Sequence, residues 1–163
     1  DTIVVPDAWA DIPRVGVRFE AAQAFKTVSW LGLGPDESYP DRCGAQTFGL
    51  WSTPLAEQFH PYVRPQEQGA HEQTRAFRLT DADGRGCEFK LPSPLSFTAR
   101  HYHDADLNAA ETLSALTPRD TAEVHIDAAV RGLGTGACGP DTVAPYRIGP
   151  GTYKFMWLLS PLE

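Results

Sequence analysis

Apolar residues in this 163-residue chain recur at every second position far more often than at every third or fourth, and that restricts the chain to sheets. Seven stretches carry the alternation: RVGVRFEA (14–21), KTVSWLGL (26–33), QTRAFRLTD (73–81), GCEFKL (86–91), LSFTARHYH (95–103), TAEVHIDAAV (121–130) and GTYKFMWLLS (151–160). Fourteen prolines and fourteen glycines, clustered with Asp, punctuate them, and Asp83-Gly84 is the strongest hairpin signal. No helices alternate with the strands as a parallel sheet requires. One helical piece stands out in HDADLNAAETLSAL (103–116): Asp104 can cap it, Leu107, Ala110 and Leu113 share a face, and Pro118 stops it. The expected class is all-β, a two-layer antiparallel β-sandwich with one short surface helix. In the final strand Tyr153, Phe155, Trp157 and Leu159 would share one face and Met156 and Leu158 the other, so that strand is expected to be covered on both sides.

The length is that of one domain, and 42% hydrophobic residues suffice for a core. A formal charge of −7 without any Lys/Arg block argues against a nucleic-acid or anionic-membrane partner. No apolar run approaches the roughly 20 residues that span a bilayer. Cys43, Cys87 and Cys138 are odd in number and far apart, which suggests neither a zinc site nor a disulfide framework and suits a reducing cytoplasm. The chain starts at Asp1 without methionine and is read as a processed or excised portion.

Four stretches could carry chemistry. In AAVRGLGTGACGP, Gly132, Gly134 and Ala137 mimic a dinucleotide-binding turn, but Pro140 and Pro145 forbid the helix on which a pyrophosphate would sit. A glycine-rich loop presenting Cys138 to a ligand or another domain, or a plain bulged connection, stays open. In HYHD, His101 and His103 would project to one side of a strand, with His125 as a third metal ligand; packing or surface histidines are the commoner outcome, and no metal site is assigned. Asp36, Glu37 and Asp41 lie in one loop, where carboxylates cap turns more often than they form a glycosidase pair. Trp9, Trp30, Trp51, Trp157, Tyr39, Tyr62 and Tyr102 could stack on sugar rings, though aromatics on strands are mostly core.

PRVGVRF, VSWLGLGPDESYPDR, YVRPQEQG, LSFTARHYHDADLNAA, HIDAAVRGLGTGACGPDT and YRIGPGTYKFMWLLSPL resemble, in the same order, the C-terminal region of glycoside hydrolase family 2 β-galactosidases, from about residue 13 to the end. The resemblance implies a supersandwich of the galactose-mutarotase-like type. It makes residues 1–163 one domain, the C-terminal portion of that family's last domain, with 1–12 as an N-terminal extension. It places both catalytic glutamates, and the residues holding magnesium and sodium, in a barrel outside this chain, so no catalytic residue and no cofactor is expected here. The implied partners are that barrel, a galactoside or acceptor sugar, and further copies of the enzyme in a homo-oligomer. One loop of the family's last domain reaches the acceptor side of the active site. Its counterpart is 134–141, which marks Gly136, Cys138, Gly139 and Asp141 as substrate contacts, with Cys138 where another branch carries a stacking tryptophan. The other reading is a stand-alone carbohydrate-binding or aldose-1-epimerase-like module using His101 and His103 as acid and base.

Overall fold

The computed structural model of the chain describes residues 1–135 and 139–163. Gly136, Ala137 and Cys138 therefore lie outside the described residues.

The described residues form nine strands, all paired antiparallel: β1 (Thr2–Val5), β2 (Arg14–Ala21), β3 (Thr27–Gly34), β4 (Thr47–Pro54), β5 (Ala70–Thr80), β6 (Gly86–Arg100), β7 (Ala122–Val130), β8 (Gly151–Lys154) and β9 (Leu158–Leu162). Seven of them make one large sheet in the order β2-β7-β6-β5-β3-β4, with β9 added against β6; β1 and β8 make a second, two-stranded sheet. The all-β antiparallel class stands, with a small second layer.

The departures from the alternation pattern have physical causes. The stretches 86–91 and 95–103 are one strand, β6, which passes through Pro92 and Pro94. Its first half pairs with β9 through Gly86–Lys90 and its second with β7 through Ser96–Arg100. The prolines, which lack an N–H, fall between the two ladders. It ends at Arg100, so His101 and His103 are not strand neighbours. The stretch 151–160 divides into β8 and β9, which belong to different sheets. Phe155 is buried between them, whereas Leu159 on β9 is 58% exposed, so the expected covering of both faces is not met there. β4, whose residues alternate exposed and half-buried, carries too little periodic contrast to read as a strand from sequence. The helix is a single α1 (Asp104–Ala109) whose N-cap is His103, one residue earlier than expected; Asp106 accepts the His103 N–H at 3.1 Å. Leu107 and Ala110 are buried, but Leu113 sits exposed in a separate turn of 3-10 helix, Leu113–Ala115.

One face of the large sheet is apolar. Val28, Trp30, Phe77, Leu79, Phe89, Phe97, Val124 and Ile126 form its core, with Ile3 of the small sheet, Trp157 and Phe19 against it. Stacked rings tie adjacent strands, Phe77 lying 4.4 Å from Phe89 and 4.5 Å from Phe97 between centroids. The other face, along β6 and β7, is polar and also buried. Thr98 lies opposite His125, Arg100 opposite Glu123 and Ser96 opposite Asp127, all of them buried. Alternation predicts a polar face; its burial comes from the chain folded over it, the segment carrying Glu67 and Gln68 and the helix α1, which supply partners for the charges.

Candidate functional site

The glycine-rich connection after β7 runs against the loop DESYPDR that follows β3. Asp41 receives the N–H of Leu133 at 3.0 Å and of Gly134 at 2.7 Å. Gly134 has φ +61°, and a Cβ there would lie 2.6 Å from the Thr142 nitrogen, so only glycine fits. Past residues 136–138 the chain returns at Gly139, whose N–H donates to the Thr135 carbonyl at 2.6 Å, while the Thr135 hydroxyl donates to the Pro140 carbonyl at 3.0 Å. Ion pairs close the base. Arg131 donates to Asp141 at 2.9 and 3.0 Å and to Asp11 at 2.8 and 3.0 Å, and Arg147 reaches Asp141 at 3.3 Å. The Thr142 N–H and the Arg131 guanidinium hold the exposed Asp141 carboxyl below its ordinary range.

The remaining polar groups of DESYPDR also hold backbone or neighbours. Glu37 accepts the Gly69 N–H at 2.7 Å and is engaged by Arg42 and the Tyr62 hydroxyl; Asp36 offers its N–H to Gln46 at 3.1 Å. The Ser38 hydroxyl accepts the Glu72 N–H at 2.8 Å, and buried Tyr39 donates to Glu67 at 3.0 Å. A loop of this composition can clamp three segments at once because carboxylates accept several N–H groups.

On the polar face, Arg100 is fully buried and binds the Gln68 carbonyl, the Tyr102 carbonyl, Glu67 and Asp104. Arg14 lies 2.7 Å from Glu67 and 3.4 Å from Asp127, at ion-pair distance without hydrogen-bond alignment. Arg18 donates to Glu123 at 2.9 Å. Burial pushes Glu67 up, but Arg100 and Arg14 outweigh it and leave its carboxyl below the ordinary range. At Glu123 burial is likewise overcome, here by His125 and the Asp104 N–H, and the carboxyl falls to about 2. Asp127 and Glu72 go the other way: burial raises each to about 7, Arg14 offsetting part of this at Asp127 and the Ser96 hydroxyl part of it at Glu72.

The histidines separate. His125 sits 3.1 Å from Glu123 and 3.7 Å from Asp104, and these three groups lie close enough together to hold a cation. Arg100, Arg18 and the Asp104 N–H already occupy the two acids, so the cluster is an ion-paired layer. His101 faces the Thr121 carbonyl at 3.3 Å and His103 faces Glu20 at 3.4 Å, away from His125's partners. The expected three-histidine grouping is corrected: Glu123 and Asp104 keep company with His125. Of the aromatics, Trp30 and Tyr39 are buried, Trp51 and Trp157 pack against the core, Tyr102 lies tilted against Phe59 with centroids 4.5 Å apart, Tyr62 lies tilted against His60 at 4.4 Å, and Trp9 is exposed. Arg14, Glu67, Arg100, Glu123 and Asp127 escaped the sequence reading, because alternation looks the same for a solvated polar face and a buried one. The available signal was the abundance of Arg and acids at matching parity on TAEVHID, LSFTAR and RVGVRF.

The expected sugar contacts are thus divided. Gly139 and Asp141 stand at the base of a clamped loop, and Gly136 and Cys138 lie outside the described residues.

Comparison with known proteins gives this loop and sheet a context. The chain is 32% identical over 153 residues to a β-galactosidase of Kluyveromyces lactis, covering 92% of the chain and 14% of that protein. It is 30% identical over 152 residues to a β-galactosidase of Staphylococcus xylosus, covering 91% and 15%. A β-galactosidase of Actinobacillus pleuropneumoniae is 29% identical over 151 residues, covering 88% and 14%. The chain therefore spans about 15% of the length of the curated relatives it matches. The model of the family described as "Beta galactosidase small chain" matches residues 2–159, nearly the whole of the sheet and the clamped loop, and the chain belongs to that family.

Proposed function

We propose that the chain is the C-terminal portion of the last β-sandwich domain of a family 2 β-galactosidase that hydrolyses terminal β-D-galactosides such as lactose. In this reading it packs beside a catalytic barrel that holds the reacting glutamates, and it lends the loop 134–141 to the side of the active site where the leaving or accepting sugar binds. The observation that carries the reading is the family match across residues 2–159 combined with 14–15% coverage of the β-galactosidase relatives, which supports reading the chain as part of a larger enzyme. The loop's construction supports its part in it. Asp41, Thr135 and Arg131 anchor the described residues of the glycine-rich connection, and an anchored base is what a sugar-contacting loop needs. Asp141, already engaged by Arg131, Arg147 and the Thr142 N–H, holds the base, leaving the contact itself to Gly136, Cys138 and Gly139.

The test replaces Cys138 by Trp in the full-length enzyme containing this chain. A ring at the acceptor side adds a stacking surface of about 1 kcal/mol, so transglycosylation to added glucose should rise roughly fivefold relative to hydrolysis while galactose release changes less than twofold. Equal changes in both steps, or none, show that the loop does not meet the acceptor.

A further inference from the structure

Asp11 lies 120 positions from Arg131 in the chain, and the two meet as a fork: Arg131 Nε donates to Oδ1 of Asp11 at 2.8 Å and Nη2 to Oδ2 at 3.0 Å. The rest of the same guanidinium holds the glycine-rich connection. Nη2 also donates to both oxygens of Asp141, at 3.0 and 2.9 Å, and Nη1 to the Thr142 hydroxyl at 2.8 Å and the Gly132 carbonyl at 3.4 Å. A guanidinium is planar, so a carboxylate that fixes one edge of it also fixes the direction in which the other edge donates. Asp11 thereby sets where Arg131 places Asp141 and Thr142, the arm by which the chain returns from the loop.

Asp11 is itself held on both sides. The Ile12 N–H donates to the Ile148 carbonyl at 3.1 Å, and the Pro13 carbonyl accepts the Arg131 N–H at 2.9 Å, so the segment that engages the Arg131 side chain also engages its backbone. Ahead of Asp11, β1 pairs with β8 from Thr2 to Val5, and Val5, Val15 and Ile148 bury against one another. Arg147 closes the group: Nη2 donates to Asp141 at 3.3 Å, and Nε donates to the Thr142 carbonyl at 2.7 Å and lies 3.8 Å from Asp11. An isolated exposed ion pair does little, but two arginines and two aspartates joined in one network around a bidentate fork hold a geometry. Asp11 is exposed, and Arg131 keeps Asp141 as a partner without it, so the contact is not needed to neutralise a buried charge. What it adds is direction.

We propose that Asp11 is a positioning residue for the loop 134–141: acting through Arg131, it sets the Asp141–Thr142 arm and so tunes how the loop meets an acceptor sugar. The segment ahead of β2 then serves the loop as its outer support. The effect on acceptor use rests on the acceptor-loop reading, whereas the anchoring of the arm rests on this chain's own hydrogen bonds.

The experiment compares Asp11→Ala and Asp11→Glu in the full-length enzyme containing this chain, by backbone hydrogen exchange and by the ratio of transglycosylation onto added glucose to hydrolysis. In Asp11→Ala the peptide covering 131–142 should exchange at least about fivefold faster while peptides from β6 and β7 keep their protection, because only the arm is released. The ratio should fall about threefold. Asp11→Glu, which can remake the fork, should restore both measures in part. Unchanged exchange over 131–142, or faster exchange throughout the chain, overturns the anchoring. If Cys138→Trp shifts the ratio and Asp11→Ala does not, the loop meets the acceptor and Asp11 does not position it. If neither variant moves the ratio while 131–142 still exchanges faster in Asp11→Ala, the acceptor-loop reading has failed, the role in acceptor use falls with it, and the anchoring alone stands.

Discussion

His71 shows how one side chain writes a pH dependence into the fold. It is 1% exposed, lies 4.2 Å from Trp30 and 5.1 Å from Phe97 between ring centroids, and contacts Gln58 at 2.7 Å through Nε2. Burial among these rings lowers its pKa to about 4, from an ordinary 6.5. Between those two values the unfolded chain takes up a proton that the folded chain refuses, so acidification favours unfolding. Stability contributed by the neutral ring is fully present above pH 6.5 and is lost as pH falls toward 4, amounting to about 3 kcal/mol. Urea midpoints measured at pH 7 and pH 5 should therefore differ more for the native chain than for His71→Gln, which does not titrate. An identical pH slope in the two proteins would place the acid sensitivity elsewhere.

At the scale of elements, the β6–β7 ladder sets charge against charge inside the sheet. Arg100 faces Glu123 in register, 3.9 Å away, and also engages Asp104 and Glu67. Arg100→Met leaves those acids buried with fewer partners and should cost about 3–5 kcal/mol in urea unfolding; adding Glu123→Gln to it should recover part of the loss, because one stranded charge is gone. Strictly additive losses in the double variant would mean that the pair does not interact. The same ladder shows what could be read in advance. Strands such as 14–21 and 121–130 were legible because Val17, Phe19, Val124 and Ile126 alternate with polar residues, and the all-β class followed from them. β4 was not legible, since it borders the sheet with little contrast between its faces, and the 151–160 stretch hid a switch between sheets that depends on what packs against Phe155. For the site, the glycines at 132, 134 and 139 announced a loop, but its fastening by Asp41 joins residues 92 and 93 positions apart, which no local pattern encodes. Residues 136–138, and Cys138 with them, lie outside the described residues, so that part of the reading rests on the resemblance.

At the scale of the whole molecule, the sheet's apolar surface exceeds what the described chain covers. Leu31 and Leu50 are register partners on β3 and β4, Leu33 and Phe48 are the next pair on the same side, and Leu50 is 78% and Phe48 54% exposed. On the far flank Met156, Leu158 and Leu159 are exposed around β9. Contiguous exposed apolar side chains on a sheet mark a surface that a partner covers, and in the proposed reading the remainder of a larger enzyme supplies it. The isolated chain should accordingly self-associate at micromolar concentration and bind a hydrophobic dye. Phe48→Lys together with Leu50→Lys should abolish both effects while leaving the melting transition within about 2 °C, because neither side chain belongs to the core and surface substitutions of this kind are nearly neutral. Sedimentation velocity across a concentration series provides the measurement. A native chain that stays monomeric without binding dye, or a double variant that associates as before, would show that the β3–β4 face is not a covered surface.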